Sequence, residues 1–305
     1  MTVTVHMTPN RLFHYRTFKE DQFVSLLSEG KLKLSRPDKF NDPWDCRVHY
    51  HVPTDATGRE RVIEHWKQLH RKKFSRISEA KRALLAHEFK TNPSKVGEGL
   101  ANAEKLLYET LCNRYRIYCL SEKPDVPLMW GHYAGSHTGI CLEFDARCAP
   151  FAAAEKVKYV SAYPAFDVLK GSYESLFTKS ADWSYEAEWR LITEERAVAA
   201  SPRTIKTDND FLTILPSVLK SVTIGCLTDK STRQQIENLI KRTAPSVLVR
   251  QAAIAPDKYA LIITPPFLTP DHAAIAKGRG FASLSALVPA RGRKRMQKRG
   301  AGARH

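Results

Sequence analysis

SYEAEWRLI, residues 184–192, is the stretch that decides how the rest of the chain is understood. Side chains along a β-strand alternate between two faces. On that period Tyr185, Ala187, Trp189 and Leu191 form an apolar face suited to a core, while Glu186, Glu188 and Arg190 share the opposite face, with Ile192 beyond them. One explanation of that second face is a solvated surface with a cross-strand ion pair, which is common and adds little stability. The other is a functional site. The flanking elements decide between them.

Upstream, RLFHYR (11–16) has strand character and ends in His14, Tyr15 and Arg16. Thr17 and Glu20 have capping-box spacing ahead of a stripe of Phe23, Leu26 and Leu27. Gly30 stands where a helix C-terminal cap belongs, and KLKLS (31–35) alternates as a strand. FNDPWD (40–45) contains Asn41 and Asp42 before a proline, a turn signature that biases the chain away from helix there. RIYCLS (116–121) is a strand ending in Ser121. PLMWGHYA (127–134) opens on a proline suited to a first helical position and sets Met129, Trp130 and Tyr133 at helical spacing. TGICLEFD (138–145), KVKYVSAY (156–163), SVTIGCL (221–227), SVLVRQAAI (246–254) and KYALIIT (258–264) add strands, and a helix is expected at about 231–242.

Residues 58–112 differ. Val62, Trp66 and Leu69, then Ile77, Leu84 and Leu85, then Leu100, Ala103, Leu107 and Leu111 recur at helical spacing between charges. They predict a helical insertion of three amphipathic helices with their stripes in a core. The expected organisation is one mixed α+β domain, mainly antiparallel, over residues 1–268, followed by a basic, disordered tail over 269–305.

Composition narrows the function classes. A chain of 305 residues with 43% hydrophobic residues buries roughly three quarters of its unfolded surface. The net charge is +16. No Asp or Glu follows Asp271, and seven Lys and Arg fall between Arg291 and Arg304. Such a tail suits contact with nucleic acid or another polyanion, and equally a solubilising role. The six cysteines are scattered, without CxxC or zinc spacing, so neither a thiolate metal site nor a disulfide framework is expected. Reduced thiols, the lack of an apolar leader in MTVTVHMTPNRLF and the lack of an apolar run of membrane-spanning length lead us to expect a cytoplasmic protein.

Four segments hold more polar groups than packing requires: His14–Thr17, the Asn41–Asp45 turn, Ser121 with the Trp130–Tyr133 helix, and Glu186–Arg190. RLFHYRTF, KLSRPDKFNDPWDC, YCLSEKPDVPLMWGHYAGSHTGICLEFD and SYEAEWRLI resemble the hallmark segments of the domain of unknown function 2971 family over about residues 11–268, the insertion apart. The order of the four segments also resembles the ADP-ribosyltransferase fold, a split sandwich of mainly antiparallel sheets. That second resemblance implies NAD as substrate, with His14 bonding the adenosine ribose and Tyr133 stacking on nicotinamide. Glu188, or alternatively Glu186, would bond the 2′-hydroxyl of the nicotinamide ribose. Arg16 or Arg190 would meet the pyrophosphate, with Tyr15 and Ser121 beside them, and a protein or nucleic acid would be the acceptor. By analogy the role would be that of a toxin or phage-defence effector. The chemistry suits these residue types, because loss of nicotinamide passes through an oxocarbenium-like state that a carboxylate stabilises.

Two other classes fit the same residues. In a metal-dependent nuclease Asp42, Asp45, Glu186 and Glu188 would hold magnesium, although Arg190 stands where a proton-accepting lysine would be wanted. In a non-catalytic binding protein Glu186, Glu188 and Arg190 would be a salt-bridged face holding the Asn41–Trp44 turn or the Trp130 helix.

Overall fold

The computed structural model describes residues 9–51, 55–69, 78–166, 173–196 and 205–264. The described residues begin with β1 (Arg11–Arg16), α1 (Glu20–Glu29), β2 (Lys31–Lys33) and β3 (His49–Tyr50), followed by the helices α2 (Ala56–Leu69), α3 (Glu79–Thr91) and α4 (Pro93–Arg114). It continues with β4 (Tyr115–Ser121), α5 (Pro127–Tyr133), β5 (Ile140–Asp145), β6 (Glu155–Lys156), β7 (Lys158–Val160), β8 (Ala165–Phe166), β9 (Thr178–Ser180) and β10 (Glu188–Glu195). The remaining elements are β11 (Lys206–Thr207), β12 (Phe211–Thr213), β13 (Leu219–Ile224), α6 (Lys230–Thr243), β14 (Leu248–Ile254) and β15 (Leu261–Ile263). This is a mixed α+β architecture.

The main sheet has nine strands in the order β11-β10-β4-β1-β5-β13-β14-β15, with β6 also on β10. Its pairs are antiparallel except β10–β11 and β13–β14. One face carries Leu12, Tyr118, Leu120, Leu142, Phe144, Trp189, Leu191, Val222 and Ile224, all buried. Phe23, Leu26 and Leu27 of α1 and Ile236, Leu239 and Ile240 of α6 complete this core. Each such side chain contributes roughly 1.5–3 kcal/mol by leaving water.

α1 ends as its sequence requires. Gly30 takes φ 67° and closes the helix onto the Leu26 and Ser25 carbonyls. A Cβ there would lie 2.2 Å from the Ile214 carbonyl oxygen, so both the backbone sign and the close approach demand glycine. The start differs from expectation. The helix opens at Glu20 behind an extended Lys19 that makes no side-chain cap. Thr17 therefore lies outside the helix and the capping box does not form. Glu20 and Asp21 still suit the positive end of the helix dipole.

The decisive stretch also departs from a continuous strand. Ala181–Glu186 winds as a 3-10 helix, Ala187 closes it with φ 45°, and the strand starts at Glu188. Only Trp189 and Leu191 of the expected core face enter the main core. Tyr185 packs instead against the smaller cluster around Tyr15 and Trp130. The opposite face is not solvated, for Glu188 is 2% and Arg190 0% exposed.

The insertion forms its own cluster. Leu100 and Leu111 of α4 are buried against Val48, Tyr50, Ile117, Phe166 and Leu176, with Val62, Ala103 and Leu107 packed on them. Asn92 caps α4 by accepting from the Ser94 N–H, and Pro93 takes the first helical position. Leu84 of α3 is exposed, a correction to its place in the expected core stripe. Ile77 and the tail, with its basic run at 291–304, lie outside the described residues. Among the described residues no helix is long and apolar enough to cross a membrane.

One irregularity in the sheet creates the site. β1 pairs with β5 over six positions and β4 with β10 over seven, yet β1 and β4 meet only at Phe13 and Ser121. Further along, Ile117 of β4 bridges to Ser35 instead. Across the gap the His14 Nδ1 lies 2.7 Å from the Cys119 carbonyl oxygen, a side chain standing in for a missing ladder bond.

Candidate active site

At this gap lies a cleft of about 740 Å³. β1 contributes His14, Tyr15 and Arg16, the segment after β2 contributes Ser35, Lys39, Phe40 and Asn41, and α5 contributes Met129, His132 and Tyr133. Asp45, Lys179, Glu186 and Glu188 also line it. Arg16, Lys19, Lys33 and Lys39 give the cleft a basic lining, while two glutamates stand elsewhere in its wall.

The glutamates belong to a buried ionic knot. Arg190 donates through Nε to Glu188 Oε1 at 2.8 Å and through Nη2 to Glu188 Oε2 at 3.1 Å and to Asp45 Oδ2 at 2.6 Å. Its Nη1 donates to the Leu176 carbonyl at 2.7 Å. Lys179 of β9 lies among three carboxylates: its Nζ donates to Glu186 Oε2, reaches Glu188 Oε2 at 3.1 Å and stands 3.7 Å from Asp45 Oδ2. Three carboxylates thus share two cations in a region closed to water, where such contacts are strong and a missing partner is costly.

The two glutamates differ in electrostatics. Burial alone would raise Glu188, but the charges of Arg190 and Lys179 and the hydrogen bonds it accepts outweigh burial and hold it at about 2. Glu186 keeps a raised pKa, because burial and the charge of Glu188 outweigh Lys179. Its other oxygen, Oε1, accepts from the Tyr133 hydroxyl at 2.6 Å, and Asn41 Nδ2 donates to that hydroxyl oxygen at 3.3 Å. Burial and the nearby Glu186 push the Tyr133 phenol well above its ordinary value, so it stays a donor. Burial alone would lower Lys179, but the three carboxylates outweigh it and keep the ammonium firmly protonated. Two neighbouring carboxyls pushed in opposite directions are the pattern that assigns different tasks to a pair of like groups.

Backbone geometry sets the pair apart. Glu186 ends the 3-10 helix, the left-handed Ala187 turns the chain, and Glu188 begins β10. The Ser121 hydroxyl donates to the Glu186 carbonyl at 2.6 Å, and the Glu188 N–H donates to the Tyr159 hydroxyl oxygen at 2.9 Å. Ser121 therefore holds the Glu186 backbone rather than lining the cleft.

His14, Tyr15, Arg16, Asn41, Tyr133, Glu186 and Glu188 all line the one cleft. Besides Ser121, three residues singled out from the sequence stand elsewhere. Arg190 is fully buried with its donors on Glu188, Asp45, Leu176 and Cys46, so it has none for a pyrophosphate. Trp130 is fully buried, edge-on to Tyr15, and donates to the Pro124 carbonyl at 2.9 Å. Asp42 lines a second, adjacent pocket. Tyr15 reaches the wall while its hydroxyl donates to the Lys123 carbonyl at 2.6 Å. His14 stacks on Tyr118 with centroids 4.1 Å apart, and burial lowers its pKa to about 3 against the raising effect of the Cys119 carbonyl. His14 is thus a neutral imidazole.

Lys179 is the residue that sequence reasoning missed. TKS at 178–180 shows no periodicity or motif. The available signal was charge balance, since three acids around one arginine call for a second cation. Of the carboxylates proposed for magnesium, Asp45, Glu186 and Glu188 converge, but on the Lys179 ammonium and the Arg190 guanidinium, while Asp42 lines the adjacent pocket. Arg190 reaches Asp45, just past the Asn41–Trp44 turn, and the Tyr133 hydroxyl links Glu186 to Asn41.

The segment that carries α5, the 3-10 turn and the two glutamates is the one that known proteins share. Residues 129–191 match the family described as Protein of unknown function (DUF2971). The DUF2971 match takes in the longest hallmark segment from Met129 onward, with most of α5 and all of β5, and nearly all of SYEAEWRLI. It leaves out RLFHYRTF and KLSRPDKFNDPWDC, so β1 and the 40–45 turn join the site through tertiary structure. No curated protein and no solved structure matches the chain significantly.

Proposed function

We propose that the chain is an NAD-consuming enzyme of the ADP-ribosyltransferase type, with its substrate in the cleft between β1 and β4. The single observation that carries the proposal is the division of the glutamate pair within a basic-lined cleft. Glu188 is spent on Arg190 and Lys179. Glu186 faces the cleft with Tyr133 on one oxygen.

Supporting features follow from chemistry. A volume of about 740 Å³ lies in the usual range for small-ligand sites. Arg16, Lys19, Lys33 and Lys39 suit a pyrophosphate, for which a planar guanidinium is well shaped. Cleavage of the nicotinamide bond develops positive charge on the ribose. A preorganised carboxylate in a water-poor site stabilises that charge more strongly than one in water. In this proposal Glu186 bonds the ribose 2′-hydroxyl and faces the developing charge, and Tyr133 orients it. Glu188 and Arg190 are positioning residues that act through Lys179 and the Asp45 turn. Neutral His14 suits a hydrogen bond to a sugar hydroxyl.

The test is nicotinamide release from NAD by purified protein, with and without cell lysate as a source of acceptor. Glu186→Gln is expected to cut release by roughly 10²–10³-fold, the usual cost of losing one transition-state electrostatic contact, while the fold survives. Release unaffected by the substitution would remove Glu186 from the chemistry. No release in either condition would leave the ionic knot as a tether for the Asn41–Trp44 turn.

A further inference from the structure

A second pocket of about 350 Å³ adjoins the first, and Asn41, Asp45 and Lys179 line both. Its character is opposite. Trp44, Tyr163 and Trp183 supply aromatic wall, and Asp42, Asp45 and Asp182 supply carboxylates. We propose that this pocket binds a planar, delocalised organic cation, of pyridinium or guanidinium type. The inference goes beyond the assignment of the first cleft and stands without it.

Charge is the first observation. Behind Lys179 stand Glu186 and Glu188, so five carboxylates face three cations, Lys179, Arg47 and Arg190, in a chain whose net charge is +16. Lys179 and Arg190 are committed to the ionic knot. Arg47 donates from Nε to the Pro43 carbonyl at 2.6 Å and lays its guanidinium 4.3 Å from the Tyr108 ring centroid. The excess is therefore negative where most of the chain is basic.

Asp42 is the second observation. It is only 7% exposed, its Oδ1 accepts from the Trp44 N–H at 2.9 Å, and it makes no ion pair among the described residues. A carboxylate that buried normally has a counter-charge. Here it lines a pocket large enough to bring one.

The aromatic wall sets the shape of that cation. The Lys179 Nζ already stands 5.1 Å from the Trp183 ring centroid, so this indole face attracts positive charge. Trp44 is 65% exposed at the pocket, which leaves its indole face open to a ligand. A flat cation stacks on such rings while pairing with a carboxylate, which a compact ammonium does less well. The two pockets then present an anion-binding and a cation-binding chamber that meet at Asp45 and Lys179. Either the pyridinium end of a dinucleotide or the guanidinium of an acceptor side chain has the chemistry for the second chamber.

Calorimetric titration of the full chain tests this with four probes: the 1-methylnicotinamide cation, methylguanidinium, and the neutral isosteres nicotinamide and methylurea. At least one cation is expected to bind at least tenfold more tightly than its neutral isostere, and Asp42→Asn to weaken it at least tenfold. Preference for the pyridinium assigns the pocket to the donor end, and preference for the guanidinium assigns it to an acceptor. Should Asp42→Asn fail to fold, Trp44→Ala, at an exposed position, is expected to weaken the same probe. Equal binding of cations and isosteres, no binding of either cation, or unchanged affinity in the folded variants overturns the proposal.

Discussion

Replacing Arg190 by methionine removes a fully buried guanidinium and keeps much of its volume. The wild-type side chain donates to Glu188, Asp45, the Leu176 carbonyl and Cys46. After substitution Asp45, Glu186 and Glu188 remain in a closed region with only Lys179 among them. Removing one partner of a buried pair costs about 3–5 kcal/mol. Glu188 yields an independent figure. It falls from an ordinary 4.5 to about 2 when folded, and each unit corresponds to about 1.4 kcal/mol, so its ionised form contributes on the order of 3 kcal/mol to stability at neutral pH. Its pKa is depressed on folding. That stability is therefore fully present above the unfolded value near 4.5 and is lost as pH falls toward 2. Urea denaturation followed by tryptophan fluorescence measures both effects. Arg190→Met should lose about 3–5 kcal/mol at pH 7, and the gap to wild type should narrow as pH falls below about 4.5, as the stranded carboxylates take up protons. A loss under about 1 kcal/mol, the level of an exposed ion pair, would refute the view that this knot fixes the site.

Three further outcomes follow from the same geometry. Glu186→Gln should change stability by less than about 1 kcal/mol at pH 7, because a carboxyl whose pKa burial has raised loses its stabilising contribution as pH climbs through that value; denaturation beside the release assay separates this from Arg190→Met. Tyr133→Phe deletes the hydroxyl bonded to Glu186 and should lower nicotinamide release by roughly 10–100-fold, the value of a hydrogen bond to a charged group; an unchanged rate in a folded variant would show that Tyr133 does not orient Glu186. His14 should remain neutral down to about pH 3, so its imidazole carbon proton should show no NMR titration between pH 5 and 8, and a midpoint near 6.5 would contradict the closed environment drawn for it.

Much of the fold was legible because local rules acted unopposed. Gly30, Pro127 and the stripe of Phe23, Leu26 and Leu27 each imposed one backbone outcome, and the structure carries all three. The hydrophobic alternation of RLFHYR and ICLEFD placed two central strands. Local rules failed where a competing geometry was available. Thr17 caps nothing, because the chain stays extended through Lys19. SYEA does not continue the strand of EWRLI, because Ala187 adopts a left-handed turn that alternation cannot reveal.

The site divides along the same line. The sequence by itself determined which residue types were available, a histidine near the end of one strand, a tyrosine on a short helix and two glutamates in SYEAEWRLI, together with their order along the chain. Only the tertiary structure decided that β1 and β4 part after Phe13 and Ser121, so that His14 and Glu186 line one cleft. It alone brought Lys179 and Asp45 to the glutamates and buried Arg190 among them, which leaves Glu188 ionised with a lowered pKa and Glu186 with a raised one. The physical reason is that desolvation and charge pairing depend on what surrounds a group in space, and residues 45, 179 and 190, on a turn, on β9 and on β10, are brought together by tertiary packing rather than by any spacing along the chain.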